Sequence, residues 1–136
     1  MSLTQPVRGA LLLACGGAVF CSAAGRGIVE FSLNGGRPIE HRLSVPAGDF
    51  VELCGKLRQG QTVRWRFDAD RPLDFNIHFH EGEKVTTPAQ RDATRSASGR
   101  LLVAADQDHC WMWSNTGSAT VALRARLRAD PRGTGK

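Results

Sequence analysis

His78 and His80 are the side chains best spaced for chemistry. They sit in the alternating segment Asp74-Phe75-Asn76-Ile77-His78-Phe79-His80-Glu81. In an extended chain residues i and i+2 share one face, about 7 Å apart. Two imidazoles at that spacing can hold one Zn²⁺ or Cu²⁺ ion between them. Asn76, Glu81 and Asp74 lie close by in sequence, and His109 opens a second alternating segment. His78, His80 and His109 are therefore the candidate metal set, provided the two segments face the same side. A His-x-His pair alone falls short of the four ligands of a closed zinc site. The same two residues also fit a plain solvated strand face.

The second segment, His109-Cys110-Trp111-Met112-Trp113, alternates in the same way. If Cys110 and Met112 point inward, His109, Trp111 and Trp113 emerge together on the outer face. Asn76, Trp111 and Trp113 would then form a partner-binding surface for a protein, a glycan or a lipid headgroup. The competing arrangement has one indole covered by the polar stretch 88–99.

Catalysis finds little support. No serine stands in a nucleophile-elbow context. Asp106 and Asp108 read as a turn, not as an acid–base pair, and no glycine-rich phosphate loop precedes a helix. The chain is expected not to be an enzyme. The net charge of +5 comes mostly from arginine spread along the chain. Its densest run, Arg124, Arg126 and Arg128, alternates with Leu123, Ala125 and Leu127, as on a solvated strand face. No nucleic-acid partner is expected, although attraction to anionic lipid or polyanions is physically reasonable.

The elements that must position these residues are short. With 136 residues the chain is long enough for one core. From residue 27 onward, runs of period two alternate with turn residues. Candidate strands cover 28–33, 39–45, 50–54, 62–68, 73–80, 84–87, 100–104, 109–114 and 119–127. Val63, Trp65 and Phe67 share one face, as do Phe75, Ile77 and Phe79, so 62–68 and 73–80 are expected to pair as a hairpin with aromatic faces inward. Residues 88–99 read as a surface loop. Eight or nine short strands without helical periodicity predict an all-β, antiparallel β-sandwich of jelly-roll-like character.

Residues 1–24 read as a signal peptide. Arg8 is followed by an apolar stretch and the small residues Ser22, Ala23 and Ala24, which would leave Gly25 as the mature start. The stretch is shorter than the roughly 20 apolar residues of a membrane span, so no transmembrane segment is expected. Two alternatives stand beside this reading. One is a buried N-terminal helix; the other is a lipid anchor on Cys15, from the lipoprotein-like Leu12-Leu13-Ala14-Cys15. Residues 25–130 form the expected single domain and 131–136 a disordered tail. Of four cysteines, Cys15 and Cys21 fall in the leader, which leaves Cys54 and Cys110. In an oxidising compartment that even pair predicts one disulfide; in a reducing one both would remain buried thiols. A periplasmic or secreted location follows.

Taken together, Leu53-Cys54, the Phe75-x-Ile77-x-x-His80 step, Ser98-Gly99, and Cys110 followed by Trp113-x-Asn115 and a last alternating strand resemble the Golgi-dynamics (GOLD) domain. They are closer still to small exported bacterial proteins with a GOLD-like sandwich. The likeness covers residues 50 to 128 and implies a pairing of Cys54 with Cys110. Eukaryotic members act in cargo sorting and in lipid or protein contact, attached to membrane helices or coiled coils that this chain lacks. What the resemblance implies is a non-catalytic interaction or binding module of the bacterial envelope; no cofactor is expected. The alternative is a periplasmic Cu or Zn protein built on the His-x-His strand.

Overall fold

The computed structural model describes residues 27–131. The expected leader, Cys15 with its anchor, Cys21 and residues 132–136 lie outside the described residues. Seven strands follow in chain order: β1 Gly27–Glu30, β2 Ile39–Val45, β3 Phe50–Leu57, β4 Thr62–Glu81, β5 Lys84–Leu102, β6 Gln107–Ser114 and β7 Val121–Ala129. They pair in the order β1-β3-β6-β4-β7-β2, with β5 added along β4. All pairs are antiparallel except β1 with β3, which is parallel, so the sheet is mixed.

The two expected hairpin arms, 62–68 and 73–80, are one continuous strand. Its first half, Val63 to Ala69, pairs with β7, and its second half, Asp74 to Phe79, pairs with β6. Trp65 and Phe75 are ten residues apart, which is about 33 Å along a straight strand. Their ring centroids lie 5.0 Å apart. The strand must therefore fold over between them. The β4–β5 ladder breaks between Asp68 and Leu73, where Pro72, with no N–H to give, removes no ladder bond. β5 runs alongside both halves of β4.

The bend turns one curled sheet into two facing layers. The first layer is β1-β3-β6 with the second half of β4; the second is β2-β7 with the first half. Leu53, Phe75, Ile77, Trp111 and Trp113 of the first layer meet Val63, Trp65, Phe67, Leu123 and Leu127 of the second. An aromatic cluster ties the layers together, with Phe67 4.8 Å from Phe75 and 5.6 Å from Trp113, centroid to centroid.

The expected surface loop 88–99 is strand, the middle of β5. It read as loop because among the described residues β5 pairs only with β4, leaving it an edge on which most side chains are solvated. Its Pro88, charged residues and glycine blunt that edge against pairing with other chains. Gly99 has a packing reason of its own. A Cβ there would lie 2.7 Å from Cζ2 of Trp65, so only glycine lets the indole lie flat against β5.

Candidate functional site

The site grows from a row of residues across three strands of the first layer. Cys54 on β3 is opposite Cys110 on β6, and Cys110 is in turn opposite His78 on β4. Residues in one cross-strand row share a face. That face looks away from the core, because Leu53, Trp111 and Ile77, each one residue along, are the fully buried ones. Cys54 and Cys110 are joined by the expected disulfide. In the next row Glu52 faces Met112, and Met112 faces Asn76.

His78 is 7% exposed. Its Nδ1 lies 2.8 Å from Oδ1 of Asn76, an acceptor, so Nδ1 carries the proton of that hydrogen bond. Its Nε2 points toward Glu52, 3.9 Å from Oε1. Burial pushes the imidazole below its ordinary value of 6.5, the Glu52 carboxylate draws it back up, and His80 lowers it again. The His80 ring stands 5.3 Å from that of His78. Glu52, His78 and His80 line a groove of about 800 Å³ that continues past the disulfide to Lys56, Asp108 and Glu30.

His109, Trp111 and Trp113 lie on the opposite side of the same layer, which corrects the expected outer surface. The expectation rested on Cys110 pointing into the core. The disulfide is outside instead, and strict alternation then sends its odd-numbered neighbours inward. Trp111 and Trp113 are 0% and 1% exposed. His109 is also fully buried, with its ring 4.6 Å from Phe79 and its Nδ1 2.9 Å from the carbonyl oxygen of Gln107. His78 and His80 are thus brought together on one face, and His109 and the two indoles are not.

Glu52 takes the place that sequence reasoning gave to His109. Donor atoms of Glu52, His78 and Cys110 lie within 4.8 Å of one another, although the Cys110 sulfur is engaged by Cys54. Nothing in the sequence marked Glu52, because its neighbourhood with His78 runs across β6, 26 positions along the chain. Other polar residues near the motif serve the frame. Asp74 accepts from the backbone N–H of Ala93 at 2.8 Å, holding the one described non-glycine residue with positive φ, 43°. Buried Asn115 donates to the carbonyls of Val45 and Ala119 and accepts from the N–H of Gly117, which clasps the β6–β7 connection to β2.

With this geometry established, solved structures supply relatives in shape. PliG from Aeromonas hydrophila, a periplasmic inhibitor of g-type lysozyme, superposes with a TM-score of 0.61 at 14% identity, over 76% of this chain and 96% of that one. The Salmonella Typhimurium PliG gives 0.52 at 10% identity, over 76% and 97%. The pre-peptidase C-terminal domain of a Bacillus anthracis collagenase gives 0.51 at 8%, over 76% and 95%. The likeness is one of fold. No protein-family model matches the chain, and no curated protein sequence does.

Proposed function

We propose that this chain is an exported, non-catalytic binding module that engages a protein partner at the outer groove of its first layer. The observation that carries the reading is the buried His78 facing Glu52 in an open groove. The aromatic residues and Asn115 are consumed by the core and the connections, whereas the polar contacts of Glu52, His78 and His80 are made within the groove face and brace no connection. No nucleophile–base pair stands beside them to suggest turnover. Export is supported by the disulfide, which persists in oxidising compartments, by the leader-like start, and by the periplasmic proteins that share the fold. The GOLD-like pattern of residues supports the same role of a β-sandwich used for contact.

The g-type lysozyme inhibited by two of those proteins is the first probe. Calorimetry and an inhibition assay should show binding by the intact chain, weakened about tenfold or more in Glu52→Gln with His78→Gln, as for a lost buried polar contact. Binding that is unchanged in that variant would remove the groove from the reading. No binding at all would remove lysozyme as the partner.

A second reading is a Cu²⁺ or Zn²⁺ site that takes His78 and Glu52, whose donor atoms lie within 4.8 Å, with His80 turned toward them as the third ligand. Calorimetric titration with each ion, run beside His78→Ala plus His80→Ala, tests it. Equal binding by the two proteins, or by neither, ends the metal reading.

A further inference from the structure

The second layer turns its outer face to solvent with an array of arginines that outnumber their acidic partners: Arg64 and Arg100 share Asp130, and Arg42 and Arg124 lie 3.9 and 3.7 Å from Glu40. Arg124, Arg126 and Arg128 alternate along β7. On one side of them β2 places Arg42 opposite Arg124. On the other side β4 places Arg66 opposite Arg126 and Arg64 opposite Arg128, and β5 adds Arg100 opposite Arg64. Seven guanidinium groups on four adjacent strands thus occupy a patch about 14 Å by 14 Å, at ordinary strand spacing and rise. All seven residues are exposed.

Like charges directly opposite one another across a ladder destabilise a sheet, and this face has four such pairs. The acidic residues within it are Glu40, Asp68, Asp130 and, at the bend, Asp70, so three positive charges remain after subtraction of four from seven. Asp130 is already shared between Arg64 at 2.7 Å and Arg100 at 3.3 Å. The hydrogen bond from Arg64, with the charges of Arg64, Arg100 and Arg128, holds its carboxyl below the ordinary range. A trough of about 560 Å³ runs between the rows, walled by Arg64, Arg66, Arg100, Arg126 and Arg128.

The form of the array selects among anionic partners. A nucleic acid would find little to stack on, because Trp65, although it borders the trough, is only 5% exposed and Phe67 1%. A protein interface is anchored by aromatic or large apolar groups near its centre, and here the one large exposed apolar residue, Leu102, lies at the rim. A linear polyanion asks for a row of cations, whereas these extend in two dimensions. A plane of anions fits a plane of cations, and guanidinium forks match phosphate oxygens in pairs.

We propose that this arginine face docks the protein on an anionic membrane surface, with its guanidinium groups taking the phosphates of lipid headgroups. It lies on the layer opposite the His78 groove, so docking leaves that groove open to solvent, and neither reading depends on the other.

Sedimentation of the intact chain with vesicles tests the proposal. The protein should pellet with phosphatidylglycerol–phosphatidylcholine vesicles at low salt, stay in solution with phosphatidylcholine alone, and be released by about 0.5 M NaCl as the charges are screened. Arg66→Gln with Arg126→Gln should weaken partitioning about 25-fold, at about fivefold for each lost cation near the surface. The same variant should melt no lower than the parent, because the two arginines oppose each other. If it fails to fold, Arg42→Gln with Arg124→Gln removes an equivalent pair. Lys84→Gln with Arg91→Gln, which removes equal charge elsewhere, should pellet like the parent. Equal partitioning to neutral vesicles overturns the proposal, as does an arginine-pair variant that pellets like the parent. A Lys84/Arg91 variant as weak as the arginine pair, or binding to heparin or an acidic protein without binding to vesicles, overturns it too.

Discussion

Cys54 and Cys110 face each other across β3 and β6 with their Cα atoms 4.1 Å apart, on the side of the first layer that looks away from the aromatic core. A cross-link there ties 56 positions of chain into a loop without filling core volume. In the chain-entropy account a loop of that length contributes about 4 kcal/mol. Cys54→Ser with Cys110→Ser is therefore expected to keep the native near-ultraviolet circular dichroism and to lose about that much stability in denaturant. A variant with no native signal, or with an unchanged midpoint, contradicts the placement.

The two indoles beneath that cross-link behave in the opposite way. Trp111 and Trp113 are enclosed, and their Nε1 groups have no hydrogen-bond partner among the described residues. Emission from the native protein should be blue-shifted and poorly quenched by acrylamide. Trp111→Ala should cost about 3–5 kcal/mol, the usual range for an emptied aromatic site. Emission at the wavelength of free indole in water would show the pair to be exposed.

How far the sequence could be read depends on one parity. Alternation marked Phe75, Ile77 and Phe79 as inward and His78 and His80 as outward, and the structure agrees, because the aromatic side of that run is unambiguous. In 109–114 both sides look apolar: Cys110 and Met112 on one, Trp111 and Trp113 on the other. Assuming a buried disulfide chose the wrong side, and His109 went with it. The bend in β4 was also hidden. Apolar odd positions run from Val63 to Ala69 and again from Leu73 to Phe79, and the break at Arg71-Pro72 reads as a turn between two strands, not as a fold within one. The arginine face needs partners from four strands, and one stretch of chain shows only a separate row, Arg124 to Arg128 or Arg64 with Arg66, not that the rows adjoin.

Two glycines should prove intolerant for reasons of contact. A Cβ on Gly55 would come within 2.6 Å of the Phe31 ring, which itself packs on Trp111 at 5.7 Å. A Cβ on Gly99 would press on the Trp65 indole. Neither ring can retreat without displacing the core, so Gly55→Ala and Gly99→Ala are each expected to lose about 1–3 kcal/mol, as overpacked sites do. Thermal melts would show it. Gly60→Ala meets no neighbouring atom but sits at φ +88°, so its cost is conformational and should be about 1 kcal/mol.

Acid should loosen the fold through His78. Its folded-state value is lowered from 6.5 mainly by burial, so below pH 6.5 the unfolded chain takes up a proton that the folded one resists. Stability is then fully present above pH 6.5 and declines as pH falls through the lowered folded value. Denaturant midpoints measured from pH 5 to 8 should fall more steeply toward acid for the parent than for His78→Gln. Parallel curves would mean that the ring is as free to charge in the native state as in water.

The shared β4–β5 hairpin has a consequence in time. Neither layer can close on its own, because each borrows half of the same two strands, so one cooperative transition is expected and not two. The partners that complete the layers are also distant in sequence: Ile39 pairs with Leu127, and Leu53 with Trp111. Closing such loops before any contact rewards them is slow, and folding on the millisecond-to-second scale of other non-local β topologies follows. A chain emerging from a ribosome or a translocation pore would wait for β7 before β2 had a partner. Until then the arginines of β4 and β5 would already be outside, and the Trp65 side of the sheet would still be uncovered.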